Sequence, residues 1–417
     1  MLETRQKAFD WIVNKDPMQL EYDSPNLVQR FVLVLFYYQT TRHKPWKECN
    51  PPATGRGSAS VNFCYEPDYL TGEATSTIWG DHWLSASHEC KWAGITCAEK
   101  KQTNEINFRS NQLNGPLPWE IAYLPQLKEL VLLSNMLTGV LPQKLFSNQS
   151  SLTLENLHLE GNRLTGTIPG EWFVNLQEGN GKLSNLRISS NRLTGKIPSE
   201  VGLFPLKRLS LSRNALIGSL PTGLFDQTSL EWLFLGENEL TGSLPSEIGL
   251  LTGLQYLDLN HTSISGSLPP EIGQLHELRS LRLLNTRMKG TIPEAIYSEL
   301  KNLIELRLSK CNFSGTISSS LGLLTNLELL KLANNQFHGT IPDEIEALTL
   351  LRELLVNGND LSGTVPVSIC QQFYAEEKAS KVVADCLPNP ETGVPSIQCP
   401  SDCCTSCCDK TGVCLAT

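Results

Sequence analysis

One phrase, Asn-x-Leu-x-Gly, usually followed by a hydrophobic residue and Pro, recurs through most of this chain of 417 residues. Its Asn position falls at residues 111, 135, 162, 191, 214, 238, 262, 286, 311, 335 and 359, in steps of 23 to 29 residues. The clearest copies are residues 162–169, 191–198 and 238–245. A short period with leucines at fixed offsets predicts a solenoid, whose stacked coils share one continuous core. Such a fold presents a long surface for binding and not a buried catalytic pocket.

Each repeat contains a stretch of alternating leucines that predicts a short strand. Leu233 and Leu235 in residues 231–238 alternate with polar or aromatic residues, which is typical of a strand with one buried face. Stacked in parallel, these strands are expected to form a concave sheet. We interpret the recurring Asn as a side chain that bonds the backbone of neighbouring coils. Thr262, Thr286 and Cys311 occupy this Asn slot in three repeats and can make fewer such bonds.

The repeat phrase resembles a known family. Leu-Thr-Gly-x-Ile-Pro at a period of 24 residues is similar to the plant-type leucine-rich repeat of receptor-like proteins, receptor-kinase ectodomains and polygalacturonase-inhibiting proteins. Residues 83–97, with Cys90 and Cys97, resemble the N-terminal cap of that group. The expected fold is an α/β leucine-rich-repeat solenoid of about 11 repeats of ~24 residues, with a helical N-terminal extension and Cys-rich caps. We predict a helical region and disulfide-bonded cap in residues 1–98, the solenoid in 99–369 and a Cys-rich cap in 370–417.

The two flanks differ from the land-plant pattern. Residues 8–13 and 26–35 predict two helices ahead of the cap, and residues 399–408 form a run rich in cysteine. Both flanks resemble those of diatom leucine-rich-repeat proteins, many of which are presumed to be secreted or at the cell surface. The resemblance therefore implies a location outside the cytoplasm.

The cysteines favour the same location. Twelve of the 13 lie outside the repeats, where disulfides seal the open ends of an extracellular solenoid. The expected disulfide cysteines are Cys49, Cys64, Cys90, Cys97, Cys370, Cys386, Cys399, Cys403, Cys404, Cys407, Cys408 and Cys414. We expect Cys370 to pair with Cys386, and Cys311 to be a free buried thiol. The spacing of residues 403–408 also suits zinc, but six cysteines in residues 399–414 fit three disulfides more naturally, so no metal is predicted.

Other features bear on location and partners. Sequons at Asn148, Asn260 and Asn312 are candidate glycosylation sites. The N-terminus lacks the layout of a secretory signal, so we expect the signal or anchor to be absent from this chain. The longest apolar run, residues 31–38, is too short to span a bilayer. The net charge of -9 argues against a nucleic-acid partner.

The residues between the strand leucines suggest a ligand site on the concave face. Around the sixth to tenth repeats the position between the leucines holds Phe234, Asp258, Arg282, Arg307 and Lys331. The position before the first leucine holds Trp232 and Tyr256 at the sixth and seventh repeats, so an aromatic group lies beside an acid and a basic row. Exposed aromatic residues next to arginine are typical of interface hot spots, and they also stack on sugar rings. The alternative is that long side chains on a solvated sheet simply vary.

Nothing in the sequence points to catalysis. The seven histidines are scattered, and no zinc-protease helix, nucleophile elbow or phosphate-binding loop is present. His158 lies on the predicted concave face, where we interpret it as a surface residue and not as a base. We therefore predict neither enzymatic activity nor a cofactor.

The predicted function is extracellular or cell-surface recognition of a protein, peptide or glycan on the concave face. A membrane anchor outside this chain would make it a receptor-like protein, acting as a monomer or in a co-receptor complex. Two alternatives stay open. One is inhibition of a cell-wall glycoside hydrolase, implied by the resemblance to polygalacturonase inhibitors, and the other is a structural or adhesive role in an extracellular matrix.

Overall fold

The computed structural model describes residues 2–41, 46, 63–67, 74–98, 101–147, 153–179, 181–369, 381–387, 395–400, 403–409 and 414–416, of which 63–67, 74–79 and 416 are described by their backbone only. The chain forms two compact units, Met1–Ala215 and Leu216–Thr417. They are called the N-terminal and C-terminal units. In both, a coil typically contributes one strand to a main parallel sheet, one short strand to a lateral sheet and one helical turn.

The N-terminal unit contains three helices and twelve complete strands among its described residues. The helices are α1 (Leu2–Asn14), α2 (Leu27–Thr40) and α3 (Glu171–Glu178). The strands are β1 (Phe63–Pro67), β2 (Ala74–Asp81), β3 (Ile95–Cys97), β4 (Thr103–Asn107), β5 (Asn114–Gly115), β6 (Glu129–Val131), β7 (Met136–Leu137), β8 (Asn156–His158), β9 (Thr165–Gly166), β10 (Asn185–Arg187), β11 (Arg192–Gly195) and β12 (Arg208–Ser210). In the main sheet β3 pairs antiparallel with β4, and β4, β6, β8, β10 and β12 follow in parallel.

The predicted helices α1 and α2 are present and close one end of this unit. Helix α2 is buried over most of its length, and Phe36 packs against Trp46, Trp83 and Phe108 with ring centroids 5.9 to 6.4 Å apart. Arg30 is fully buried in the same helix. A buried charge is tolerated only when it is paired, and here Asp16, 2.6 Å from Arg30 Nε, supplies the partner.

The C-terminal unit is built from coils of the same kind and contains one α-helix among its described residues, α4 (Glu294–Glu299). Its strands are β13 (Ala215–Gly218, beginning one residue earlier), β14 (Trp232–Phe234), β15 (Glu239–Leu240), β16 (Tyr256–Asp258), β17 (Ser265–Gly266), β18 (Ser280–Arg282), β19 (Arg287–Gly290), β20 (Glu305–Arg307), β21 (Asn312–Gly315), β22 (Leu329–Lys331), β23 (Gln336–Thr340), β24 (Glu353–Leu355), β25 (Asp360–Thr364), β26 (Lys381–Ala384), β27 (Ile397–Gln398), β28 (Ser406–Cys408) and β29 (Cys414–Ala416). The even-numbered strands from β14 to β28 form its main parallel sheet, and β29 pairs antiparallel with β28.

Short 3-10 turns occupy the side of most coils opposite the main sheet. They span Trp119–Tyr123, Gln143–Phe146, Ser199–Leu203, Thr222–Asp226, Ser246–Leu250, Pro270–Gln274, Ser319–Leu323 and Asp343–Ala347. All but one of these turns follow a proline in extended conformation, which fixes φ and has no N–H to leave unpaired. Helices α3 and α4 lie in repeats of 29 and 25 residues, so the longer loops leave room for an α-helical turn.

The Asn slot forms the ladder that the sequence predicts. Asn135 Oδ1 accepts hydrogen bonds from the backbone nitrogens of Asn111 and Leu113, at 2.9 and 3.1 Å. Its Nδ2 donates to the carbonyl of Phe108 in the preceding coil and to that of Leu132 in its own, at 2.7 and 3.0 Å. The amide thereby satisfies backbone groups that would otherwise be buried without a partner.

The residue before each slot has a left-handed backbone, which the sequence did not reveal. Its φ lies between +52° and +70° in all eleven repeats: Ser110, Ser134, Gly161, Ser190, Arg213, Glu237, His261, Asn285, Lys310, Asn334 and Gly358. Only two of these residues are glycine, so the ladder holds nine others in a conformation that L residues rarely adopt.

The side chains in the three slots without Asn form fewer hydrogen bonds to the backbone than Asn does. Thr262 Oγ1 donates to the carbonyl of Leu259, and Thr286 Oγ1 lies 3.1 Å from Cys311 Sγ. Asn238 accepts a hydrogen bond from the backbone nitrogen of Leu216, but no described side chain accepts one from the corresponding nitrogens of Leu240 and Ile264. Cys311 is a free, buried thiol, as the sequence predicts.

The C-terminal cysteines pair in a way that the sequence did not predict. Three disulfides join pairs of cysteines that are both among the described residues: Cys386–Cys407, Cys399–Cys404 and Cys408–Cys414. The predicted pairing of Cys370 with Cys386 is wrong, and the last six cysteines do not pair only among themselves. The reason is the register of β26 and β28, which sets Cys407 opposite Ala384 and therefore beside Cys386.

The remaining cysteines complete the caps. Cys90 bonds Cys97 in the N-terminal cap, and Cys403 is also disulfide-bonded. Cys49 and Cys370 lie outside the described residues, as does the side chain of Cys64. Three sulfurs, those of Cys386, Cys399 and Cys404, lie within 4.8 Å of one another. All three are in disulfides, so they are not available as thiolate ligands for zinc.

Candidate ligand-binding face

The main sheet of the C-terminal unit brings all seven predicted ligand-binding residues to one surface, here called the strand face. Its parallel strands are in register: Trp232 lies opposite Tyr256, and Phe234 opposite Asp258. Asp258 lies opposite Arg282 and Arg282 opposite Arg307. Lys331 completes the row beside Arg307. Because flanking leucines such as Leu233 and Leu257 point into the core, the intervening side chains must point outward.

Three aromatic side chains form a continuous patch at one end of the strand face. The Trp232 ring lies 5.8 Å from that of Phe234 and 5.1 Å, edge to face, from that of Tyr256. All three side chains are half-buried. Such a patch offers a partner a large apolar contact at low entropic cost, because aromatic side chains have few rotamers to lose.

The predicted basic row is not a free positive patch. Arg282 Nε lies 2.7 Å from Glu305, Arg307 Nε contacts the same carboxylate, and Lys331 Nζ lies 2.6 Å from Glu353. Glu305 and Glu353 were not predicted as part of this surface, because they precede the first strand leucine, a position at which only Trp232 and Tyr256 were candidates. The charged end of the strand face is therefore a network of ion pairs.

Glu305 is the centre of this network. It is 5% exposed and accepts hydrogen bonds from Ser280 Oγ and Arg282 Nε, both at 2.7 Å. Burial raises its pKa, but the hydrogen bonds from Ser280 and Arg282 and the charges of Arg282 and Arg307 outweigh burial and leave the pKa below its usual value. Glu305 therefore stays ionised and fixes the position of both guanidinium groups.

The two arginines keep donors for a ligand. Both bind Glu305 through Nε, and Arg282 Nη1 lies 3.8 Å from Asp258. Among the described residues, no side chain accepts a hydrogen bond from the terminal nitrogens of Arg307, whose side chain is 30% exposed. Asp258 is also structural, since it accepts a hydrogen bond from the Asn260 backbone nitrogen at 2.9 Å. The face thus offers oriented N–H groups beside an aromatic patch, which suits binding.

The other predicted sites lie elsewhere. Asn312 is exposed on β21, whereas Asn260 lies half-buried beside the strand face and its Oδ1 accepts a hydrogen bond from the Leu284 nitrogen at 2.6 Å. Asn148 is outside the described residues. Glycosylation of all three stays a prediction. Among the helices that the structure describes, each is too short or too polar to cross a membrane.

Comparisons with known proteins identify the repeats. A family model described as "Leucine-rich repeat region" matches residues 233–373, and one described as "Leucine Rich Repeat" matches residues 153–175 and 182–204. Two relatives from Arabidopsis thaliana illustrate the similarity. Leucine-rich repeat receptor-like serine/threonine-protein kinase RGI4 is 38% identical over 107 residues, covering 25% of this chain and 9% of that protein. Receptor-like protein 34 is 34% identical over 141 residues, covering 33% and 13%.

Solved structures show the same architecture. The Arabidopsis receptor kinase HAESA ectodomain, in complex with an IDA peptide hormone, is 34% identical with a TM-score of 0.64, covering 69% of this chain and 48% of that one. The GASSHO1/SCHENGEN3 ectodomain, in complex with CASPARIAN STRIP INTEGRITY FACTOR 2, is 32% identical with a TM-score of 0.63, covering 68% and 34%. This chain spans half or less of those structures and about a tenth of the curated relatives. Its stacked coils, its Asn ladder and these matches show that the chain contains plant-type leucine-rich repeats, similar to those of receptor-like proteins and receptor-kinase ectodomains.

Proposed function

We propose that this protein is an extracellular or cell-surface recognition module that binds a peptide on the strand face of its C-terminal unit, without chemistry of its own. The observation that carries the proposal is the presence on one sheet surface of an aromatic patch, centred on Trp232, and of oriented arginines, centred on Glu305. Apolar anchors beside charge-assisted donors are what binding hot spots consist of.

The spacing of these two parts describes the ligand. Strand β14, which carries Trp232, is followed by β16, β18 and β20, so the midpoint between Arg282 and Arg307 lies about two and a half strand spacings away. At about 4.8 Å per spacing this is roughly 12 Å, the length of three to four residues of an extended peptide. The ligand we propose therefore carries an apolar or aromatic residue separated by three to four positions from an acidic group.

Relatives support a peptide as the ligand. The similar solved structures include the HAESA ectodomain in complex with the peptide hormone IDA and, in one case, also with the co-receptor SERK1. That last structure is 32% identical to this chain, with a TM-score of 0.61. By analogy we propose that ligand binding creates a surface for a co-receptor, and that a partner passes on the signal. The charged side chains of the strand face neutralise one another in pairs, an arrangement suited to recognition and not to proton transfer.

Affinity capture from cell-surface and culture-medium fractions tests the proposal. One bait is the wild-type chain, and a second carries Trp232→Ala, Phe234→Ala and Tyr256→Ala. A matched control replaces two exposed leucines on the turn side, Leu250→Ala and Leu323→Ala.

We expect a peptide that the wild type and the leucine variant retain and the aromatic variant loses, with all three baits melting at the same temperature. If a cell-wall hydrolase is retained in the same pattern instead of a peptide, the result would support the alternative function, inhibition of that hydrolase. If the aromatic variant retains every partner, the strand face is not the binding site. If the protein itself is retained only in an insoluble matrix fraction, the result would favour the structural role.

A further inference from the structure

The N-terminal unit contains a cavity of about 450 Å³, lined by residues that lie outside its main sheet. It is located where the last turn of α2 meets the first two coils, and Thr41 pairs there with Asn114 at the start of β5. Its walls are the segments that follow β5 and β7 and the 3-10 turns Trp119–Tyr123 and Gln143–Phe146. Small-molecule sites have volumes of roughly 300–1,000 Å³, so the cavity is large enough for such a ligand.

The residues around this cavity depart from the repeat pattern. The position after the repeat glycine holds Pro116 and Val140 in the first two coils, whereas it holds Thr, Ser or Lys in the nine later ones. The position after the repeat proline holds Trp119 in the first coil and no aromatic residue in any later one. Val140 is 60% exposed, so it does not serve the core. The first two coils therefore form an apolar groove where later coils expose polar side chains.

A buried polar side chain lines the cavity without a partner. Gln39, in the last turn of α2, is 4% exposed, and its carboxamide forms no hydrogen bond within the part of the chain that the structure describes. Nearly all buried polar groups in native proteins are paired, because an unpaired one costs the free energy of its lost hydration. The amide of Gln39 therefore indicates a polar group that a ligand brings into the cavity.

The cavity also has a cation at its rim. Lys144 Nζ lies 5.2 Å from the centroid of the Trp119 ring, and no carboxylate of the described residues forms an ion pair with it. No acidic side chain lines the cavity, so an anion that enters it meets a positive charge beside apolar walls. A cavity of about 420 Å³ in the C-terminal unit differs, because Glu271 and Glu299 line it together with neither lysine nor arginine.

We propose that the cavity of the N-terminal unit binds a small aromatic carboxylate that carries a hydroxyl group. The aromatic ring packs between Trp119 and Val140, and the carboxylate binds Lys144. The hydroxyl bonds to Gln39, whose amide can donate or accept. A wholly apolar ligand would leave the amide and the cation unsatisfied. A sugar would bury many hydroxyls against Leu117 and the prolines with too few partners. The site lies outside the strand face and does not depend on the peptide proposed there.

Ligand-observed NMR with matched probes tests this site. The probes are cinnamate, phenylpropanoate and naphthoate, each with and without a ring hydroxyl, together with the primary amide of each acid. An acetylated tripeptide ending in phenylalanine represents the carboxyl end of a protein. Dissociation constants are measured for the wild type, Lys144→Gln and Gln39→Leu. The matched control is Lys196→Gln, because Lys196 is exposed directly after the lateral strand β11 of the same unit.

We expect the wild type to bind the acids about tenfold more tightly than their amides, and Lys144→Gln to remove this preference. Gln39→Leu should melt no lower than the wild type, because leucine does not bury an unpaired amide. It should also remove the tighter binding of the hydroxylated probes. Lys196→Gln should change each dissociation constant less than about twofold. The Trp232→Ala, Phe234→Ala, Tyr256→Ala variant should bind the acids as the wild type does, which separates this site from the strand face.

Four results would overturn the proposal. Equal affinity for acids and amides, or equal losses in Lys144→Gln and Lys196→Gln, would show that Lys144 does not select an anion. A lower melting temperature in Gln39→Leu would show that the amide has a structural role and is not kept for a ligand. Tighter binding of the tripeptide than of every free acid would replace the small molecule by a chain terminus. Binding of no probe to the wild type would remove the site altogether.

Discussion

Glu305 accepts a hydrogen bond of 2.7 Å from Arg282 Nε, a bond that joins two neighbouring strands of the main sheet. Because the same carboxylate also holds Arg307, one buried acid orients both cations of the candidate face. The buried carboxylate therefore fixes the arrangement of the charged side chains on the strand face, although the arginines are the more conspicuous residues in the sequence.

Replacing this acid should weaken both binding and stability. Glu305→Gln leaves two half-buried guanidinium groups without their counter-charge, and we expect it to lower the free energy of unfolding by about 1–3 kcal/mol. Glu328→Gln is the matched control, because Glu328 is 33% exposed and lies 3.6 Å from Arg352. This control should cost less than about 1 kcal/mol. Urea denaturation of the three proteins measures the difference, and equal costs would contradict the central role of Glu305.

The same pair predicts a pH dependence. The pKa of Glu305 is lower in the folded protein than in the unfolded chain. Its stabilising contribution is therefore present above the unfolded pKa, near 4.5, and is lost as the pH falls through the folded value. The stability gap between the wild type and Glu305→Gln should be complete at pH 6 and should shrink below pH ~4. A gap that is constant from pH 6 to pH 3 would show that Glu305 acts through packing alone.

The substituted Asn slots predict a stabilising change. Asn335 donates to the carbonyls of Leu308 and Leu332 and accepts from the Phe313 nitrogen, all within 3.0 Å. Asn335→Ala should therefore cost about 1–3 kcal/mol. Cys311→Asn should gain about 1 kcal/mol, because Asn can accept from the Met288 nitrogen, whose only side-chain acceptor in the described chain is a distant Thr286 Oγ1 at 3.5 Å. Thermal unfolding checks both changes, and a loss in Cys311→Asn would show that side-chain volume matters more than hydrogen bonding at this slot.

The glycines of the repeat phrase predict a graded series. Gly290 and Gly315 have similar left-handed backbones, with φ of +85° and +89°. A Cβ at Gly290 would meet Ser267 Cβ at 3.5 Å, whereas one at Gly315 would meet Thr291 Cγ2 at 2.8 Å. Gly290→Ala should cost about 1 kcal/mol from backbone strain alone, and Gly315→Ala should cost more. Combining Gly315→Ala with Thr291→Ser should bring the cost down to that of Gly290→Ala, and no such rescue would show that the Thr methyl is not the obstacle.

His158, a basic group, also predicts a pH dependence of the stability. Its pKa is about 4 when folded and about 6.5 when unfolded, so the unfolded chain takes up a proton first as the pH falls. The folded state has no penalty above pH ~6.5 and loses stability as the pH falls from there to about 4. His158→Gln should therefore gain on the wild type across this window, by up to about 1 kcal/mol after allowance for the exposed part of the ring. Melting temperatures at pH 7 and pH 4.5 measure the change, and identical shifts in both proteins would contradict it.

The sequence predicts features that repeat and misses those that depend on neighbouring repeats. The strand that contains Leu233 and Leu235 can be predicted because the alternation of buried and exposed residues is a local pattern. The hydrogen bonds of Asn135 can be predicted because every coil presents the same backbone groups to its Asn. The pairing of Glu305 with Arg282 depends instead on two non-equivalent residues of adjacent strands, which only the register brings together. The same holds for Cys386 and Cys407, whose pairing follows from the stacking of β26 on β28.

Local sequence also hides conformation and environment. Lys310 and Glu237 have left-handed backbones although neither residue type favours them, because the ladder on both sides fixes the chain. His158 seemed an ordinary surface residue, yet arginines from three different coils surround it. No fixed sequence spacing links those coils, since the repeats between them differ in length.

The central claim is that the strand face of the C-terminal unit selects a peptide with an apolar residue and an acidic group a fixed distance apart. Selection from a display library of random linear peptides tests it most directly, with the wild type and the Trp232→Ala, Phe234→Ala, Tyr256→Ala variant as parallel targets. We expect the wild type to enrich peptides in which an aromatic or aliphatic residue lies three to four positions from Asp or Glu, and the variant to enrich no such motif. Enrichment of the same motif by both targets, or of no motif by the wild type, would contradict it.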